Sequence, residues 1–189
     1  MDAKHRRRAR TTAALLPGIA AVLALLLPAC MREYVDLDED AMHDLWAFTH
    51  PLCASPGLRL DTEDSVYVFE RVDLYHHGME TDVRGAAVVL PGRQRRDLSI
   101  STLRVLRVWL PLEMELRVAS GEEYTVEPGF WYFTMERGVP RELRITLAAG
   151  STASIRNPLV FTYNDVRKMS VRTGISSPVL DYLVEESLR

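Results

Sequence analysis

From Asp64 onward the apolar residues of this chain recur at every second position. Val66, Val68, Val72 and Leu74 fall on one side of an expected strand, and Tyr67, Phe69, Arg71 and Asp73 on the other. The same period returns where Met114, Leu116 and Val118 alternate with Glu113, Glu115 and Arg117. It returns again where Leu143, Ile145 and Leu147 alternate with Glu142, Arg144 and Thr146. A period of two sends successive side chains to opposite faces of a strand. Further strands are expected over 87–90, 98–105, 124–126, 130–135 and 159–163. Within 98–105, Leu98 and Ile100 have one parity and Leu103 and Val105 the other, so a bulge or turn is expected near Ser101 and Thr102. Pro91-Gly92, Gly121, Pro128-Gly129 and Gly150 punctuate the series. Short alternating strands between Gly and Pro turns predict a mainly β fold, an antiparallel sandwich or barrel, and one apolar face per strand fits two sheets burying a shared interior.

Two segments carry a helical period instead. Asp36, Asp38, Glu39 and Asp40 precede Met42, Leu45, Trp46 and Phe48, which predicts a short helix that Pro51 ends. The acidic run is no calcium loop. Its sixth position is Ala41 where glycine is needed, and its twelfth is Ala47 where a bidentate carboxylate is needed. Near the C-terminus, Asn164 or Asp165 is placed to cap a helix that Gly174 stops. Ser177-Pro178 then opens a second, with Val179, Leu180, Leu183, Val184 and Leu188 as its apolar stripe. The expected fold is therefore mainly β with a short N-terminal helix and one or two C-terminal helices.

Residues 6–30 read differently from everything after them. Arg6, Arg7, Arg8 and Arg10 precede an apolar run from Ala13 to Leu27, interrupted by Pro17 and Gly18. A bilayer-spanning helix needs roughly 20 apolar residues, and this run of about 15 is short and broken. A basic head and a short apolar centre are the marks of a secretory signal. Leu27-Pro28-Ala29-Cys30 then resembles the bacterial lipobox. That resemblance implies cleavage before Cys30, acylation of its thiol and a membrane anchor of several chains. Met31 stands where the family's inner-membrane retention signal has aspartate, which points to the outer membrane. The expected organisation is a signal peptide over 1–29, a lipidated leader with a short helix over 30–60, a β-sandwich over 61–163 and a helical tail over 164–189.

Charge narrows the partners. The chain carries 23 Lys and Arg against 26 Asp and Glu. Five of those positive charges and one negative lie before Cys30, so the rest is acidic with a net charge of −7. Nucleic acid, whose phosphates dominate affinity, is excluded as a partner on that ground. The paired tail helices lack a basic recognition face for the same role. With Cys30 lipidated, Cys53 is single and forms no internal disulfide. It is then a buried thiol or an intermolecular link.

Residues 124–159 carry a second resemblance. Pro128-Gly129 precedes the aromatic strand Phe130-Trp131-Tyr132-Phe133, Gly138 precedes Leu143-Arg144-Ile145-Thr146-Leu147, and Ala149-Gly150-Ser151 follows. This order is similar to the PEGA-type and related transthyretin-like surface modules, and departs from them at Val139, where an aromatic often stands. The resemblance implies a non-catalytic β-module at a bacterial surface, and with it an antiparallel sandwich of transthyretin- or immunoglobulin-like type.

Candidate chemistry is sparse. His76, His77 and Glu80 are suitable ligands for zinc or a similar metal. Adjacent strand residues face opposite ways, however, and no histidine follows His77 to complete a site. Arg93, Arg95 and Arg96 form a basic loop fit for phosphate, lipid headgroups or a carboxylate-bearing glycan. In the aromatic strand, alternation puts Trp131, Phe133 and Met135 on one face and Tyr132 on the other, so Tyr132 is the candidate for stacking a sugar. No Gly-x-Ser-x-Gly elbow and no phosphate-binding glycine loop is present. The expected role is a non-enzymatic, lipid-anchored envelope protein that contacts other envelope proteins, without a cofactor. A glycan- or peptidoglycan-binding module is the second expectation, and a metal-dependent enzyme the third.

Overall fold

The computed structural model describes residues 34–78, 80–146 and 158–172. They are mainly β, in two antiparallel sheets of four and nine strands. The chain runs through β1 (Val35–Leu37), the helix α1 (Glu39–Trp46), β2 (Arg59–Asp61), β3 (Val66–Phe69), β4 (Asp73–His77), β5 (Glu80–Leu90) and β6 (Gln94–Ser101). It continues through β7 (Arg107–Trp109), β8 (Glu113–Val118), β9 (Glu123–Val126), β10 (Trp131–Glu136), β11 (Val139–Ile145), β12 (Leu159–Phe161) and β13 (Val166–Arg172). The smaller sheet has the order β1-β13-β8-β9. The larger runs β12-β11-β10-β7-β2-β3-β5, with β3 and β4 along one edge of β5 and β6 along the other.

One cluster of buried side chains draws on both sheets. Met114, Leu116 and Val171 enter it from the smaller sheet, and Leu60, Val108, Phe133 and Leu143 from the larger. Burying a large apolar side chain contributes about 1.5–3 kcal/mol. The helix joins this core through Leu45 and Trp46. Asp38 caps it, its carboxylate accepting from the Ala41 N–H at 2.8 Å, and Glu39 and Asp40 fill its first turn as the acidic run requires. Cys53 is fully buried in the same core, and burial pushes its thiol pKa well up, so the thiol stays protonated.

The turns follow from the glycines. Arg137 and Gly138, with φ of 53° and 83°, form the two-residue connection between Glu136 and its partner Val139. Gly85 has a different task. At this point β5 passes from β3 to β4, and the Glu70 and Arg71 N–H groups both donate to the Ala86 carbonyl, at 2.8 and 3.3 Å. The Arg71 carbonyl bends in so far that a Cβ on Gly85 would lie 2.0 Å from its oxygen.

Several expectations are corrected. The helix placed after Asn164 and Asp165 is a strand. Asp165 does act as a capping group, accepting from the Thr162 N–H and hydroxyl at 2.7 Å each, but only around the 3-10 turn Tyr163–Asp165. Residues 166–172 then form β13, between β1 and β8. A register shift between Val166 and Lys168 puts Val166 and Met169 three apart on the buried face, which imitates a helical spacing. The second tail helix, over 177–188, lies outside the described residues. The expected single strand over 66–74 is two strands, broken at residues 70–72 opposite Gly85. The leader over 30–60 was expected to hold a short helix, yet β1 also lies within it and β2 begins there. Pro51 opens a 3-10 turn, Pro51–Ala54. The turn expected near Ser101 and Thr102 is the 3-10 corner Thr102–Arg104.

Candidate functional site

β9 ends the smaller sheet, and among the described residues it pairs only with β8. The Val118 N–H donates to the Glu122 carbonyl at 3.0 Å. In an antiparallel ladder the bonded pairs alternate, so Tyr124 and Val126 bond inward to β8. The N–H and C=O of Glu123 and Thr125 therefore point away from the sheet. Beside this edge lies a groove of about 470 Å³, lined by Tyr124, Val126, Phe130 and Ile145, with Glu123 and Glu127 as its charged groups. Tyr124 reaches the opposite sheet, its ring 5.6 Å from that of Phe161 on β12. Burial, and then Glu122 beside it, push the Tyr124 phenol upward in pKa. An unpaired strand edge next to an apolar groove with acidic residues is suited to an extended segment bearing apolar and basic side chains.

The outer face of the larger sheet carries a second arrangement. Arg59 Nε donates to Asp61 Oδ1 at 2.7 Å, and Trp109 Nε1 to Asp61 Oδ2 at 3.0 Å. The Arg59 guanidinium lies 4.9 Å from the centre of the Trp109 ring. Trp109 stacks on Tyr132 with ring centres 4.3 Å apart, and Arg107 lies over Tyr132 at 5.6 Å. Arg144, opposite Tyr132 in register, donates to Glu142 Oε2 at 2.8 Å. Side by side with Arg59 and Asp61, Val66, Val68, Val88 and Leu90 make a separate apolar cluster on this face.

A third group ties the two ends of the body together. Tyr34 donates its hydroxyl to Glu113, Arg172 donates to the same carboxylate, and the Arg172 guanidinium lies 5.2 Å from the Tyr34 ring. Burial, and then the negative Glu113, raise the Tyr34 pKa to about 12. For Glu113 burial acts upward, but the Tyr34 and Arg172 contacts outweigh it and hold the pKa below the usual carboxylate range.

The residues singled out in the sequence are not brought together. His76 and His77 face opposite ways on β4. His76 Nδ1 is 2.9 Å from the Thr81 hydroxyl, and His77 pairs in register with Glu80. Among the described residues no three His, Cys, Asp or Glu side chains converge as metal ligands. Arg93 sits in the turn after Pro91-Gly92, while Arg95 and Arg96 lie on β6 and face opposite ways. Arg95 pairs with Glu70 at 2.9 Å, and Arg96 donates to Gln94. Trp131 and Phe133 share the core face as expected, and Trp131 Nε1 donates to the Leu112 carbonyl at 2.8 Å. Tyr132 is on the other face as expected, but only 7% exposed. Its stacking surface is taken by Trp109, so it is not the open sugar platform that alternation alone implies. Cys30 lies outside the described residues.

Sequence reasoning missed both the β9 edge and the Trp109 cluster. Tyr124 and Val126 were legible as a strand, but an edge is defined by which strands lie beside it. Among the described residues no helix is long and apolar enough to cross a membrane. Compared with known proteins, the chain matches no family model, no curated protein and no solved structure.

Proposed function

We propose that this protein is a non-enzymatic, lipid-anchored component of a bacterial cell envelope, carrying a transthyretin-like sandwich that holds a partner protein along β9. The anchor rests on the lipobox resemblance at Cys30. The binding role rests on one observation: the outward N–H and C=O groups of Glu123 and Thr125 run beside the groove of Tyr124, Val126, Phe130 and Ile145. A partner strand adding to β9 satisfies those backbone groups and places alternate side chains in the groove. Glu123 and Glu127 favour a segment with basic residues.

Thr125→Pro separates this role from the fold. Its N–H points away from β8, so proline there removes no bond of the sheet, and edge strands tolerate proline. A photo-crosslinking residue at position 123 of the lipidated protein is expected to give one discrete adduct with an envelope protein, and Thr125→Pro to abolish it. No adduct, or an adduct that survives Thr125→Pro, overturns the binding role. For the anchor, labelled palmitate is expected to enter the parent protein and not the Cys30→Ser variant. Equal labelling of the two rejects it.

A further inference from the structure

β9 has a recess on each side. The apolar groove of Tyr124, Val126, Phe130 and Ile145 opens on its inner side. On the outer face of the smaller sheet lies a second recess of about 180 Å³, lined by Glu115, Arg117, Glu123, Thr125, Lys168 and Ser170. The register sets these side chains in two rows. Asp36, Ser170, Glu115 and Thr125 stand opposite one another across β1, β13, β8 and β9, and Lys168, Arg117 and Glu123 form the next row. Most of these charges are already paired. Arg117 Nε donates to Glu123 at 2.6 Å. Lys168 lies 2.7 Å from Asp36, which also accepts from the Ser170 hydroxyl at 2.6 Å. Arg172, further along β13, is held by Glu113. Glu115 is exposed and makes no ion pair among the described residues.

We propose that the strand held by β9 carries a lysine or arginine opposite Thr125, between two apolar residues, and that this basic side chain enters the outer recess beside Glu115. The inference rests on the binding role given above and names what that edge selects. Residues directly opposite each other in a sheet share a face. A residue opposite Thr125 therefore joins Thr125 on the outer side. Its two neighbours, opposite Tyr124 and Val126, enter the apolar groove. The added strand lies roughly 5 Å from β9 and 10 Å from β8. Thr125 is short and leaves the space between them open, so a long basic side chain crosses it toward Glu115. β9 is in this way read on both faces, by apolar burial inside and by charge outside.

The same recess turns a second copy away. Two β9 strands pairing about a two-fold axis use the outward groups of Glu123 and Thr125. Glu123 of one copy then stands opposite Glu123, Thr125 or Glu127 of the other, according to the register. Two of these registers set carboxylates face to face. The third drives Glu123 of one copy into the recess beside Glu115 of the other. Like charges in such positions are destabilising. An edge that repels its own copy and attracts a basic strand is specific for a different protein.

A photo-crosslinking residue at position 127 of the full-length protein leaves the recess intact. Digesting and sequencing its adduct is expected to give a segment with Lys or Arg between two apolar residues. Glu115→Lys is expected to cut the adduct yield severalfold, and Glu115→Gln by less. Glu115 is exposed, so both variants are expected to keep the parent's unfolding midpoint. Added salt is expected to lower the parent's yield and to leave that of Glu115→Gln almost unmoved. A yield that neither variant changes, or a crosslinked segment without a basic residue, overturns this inference and leaves the binding role standing. An adduct between two copies of this chain also overturns it. No adduct from position 123 or 127 of the parent overturns the binding role, and this inference with it.

Discussion

The two sheets end in very different edges. β6 closes one side of the larger sheet with eight residues, and its first four, Gln94 to Asp97, are exposed. Arg95 reaches Glu70 at 2.9 Å, and Asp97 lies 3.8 Å from Arg71. Charged side chains at a long edge oppose its pairing with another chain. β9 is half as long and opens on an apolar groove. A basic run that reads as a ligand loop in the sequence lies, for Arg95 and Arg96, on an edge strand. The edge proposed above to hold a partner is one whose residues the sequence marks only as a short strand.

The largest expected effect separates the supports of the two edges. Gly85 lets β5 carry both β3 and β4, and β6 pairs with nothing else among the described residues. Gly85→Ala drives a Cβ against the Arg71 carbonyl, and a loss of about 3 kcal/mol is expected in urea unfolding. Hydrogen exchange is expected to quicken in β4, β5 and β6 while β8 and β9 keep their protection. A loss under about 1 kcal/mol removes the bulge from the account of how β6 is held. Next, Trp131→Phe leaves the Leu112 carbonyl unpaired just before β8 and trims a filled core. About 1–3 kcal/mol is expected. Here the weakened protection is expected on the β8 and β9 side, the reverse of Gly85→Ala.

A third expectation concerns the clasp on β1, β8 and β13. Tyr34 keeps its proton in the folded protein up to about pH 12, against an ordinary value of 10.0. A raised pKa gives stability that is complete below the ordinary value and lost as pH rises toward the folded one. Stability is therefore expected to fall between about pH 10 and 12, and Tyr34→Phe to flatten that fall. On the acid side Glu113 is depressed, so its share is present above the ordinary carboxylate value and lost as pH falls. Glu113→Gln is expected to soften the acid limb. Unfolding followed at a series of pH values decides both.

What was legible in the sequence was legible by period. β8 and the second half of β11 alternate cleanly and stand where expected, and β10 was marked by its run of aromatics. The first half of β5 also alternates, but its inward positions are Thr81 and Val83, only one of them apolar, and Gly85 then interrupts the pattern. β1 and β2 each have three residues, too few for a period to register. β13 was hidden by its register shift, which turned a strand's spacing into a helix's. The site was harder for a related reason. Tyr132 and Arg95 were chosen by residue type, and type does not tell a stacked, 7% exposed tyrosine from an open one. The β9 edge depends on β13, 40 residues away in sequence, which takes the other side of β8 and leaves β9 at the end of the small sheet among the described residues.

The smallest stability effect bears most directly on the contrast of edges. Arg95 and Glu70 form an exposed pair, and the arginine side chain is 77% accessible. Such pairs contribute about 0–1 kcal/mol, so Arg95→Ala is expected to leave the unfolding midpoint almost unmoved. If the charges guard β6, their loss shows in association instead. Arg95→Ala with Arg96→Ala is expected to shift the protein toward dimers or larger species in sedimentation, more so at high protein concentration. Thr125→Pro on β9 is expected to leave self-association as it was. If the double variant stays monomeric at every concentration, the arginines of β6 are not what keeps that edge from pairing, and the contrast with β9 rests on the apolar groove alone.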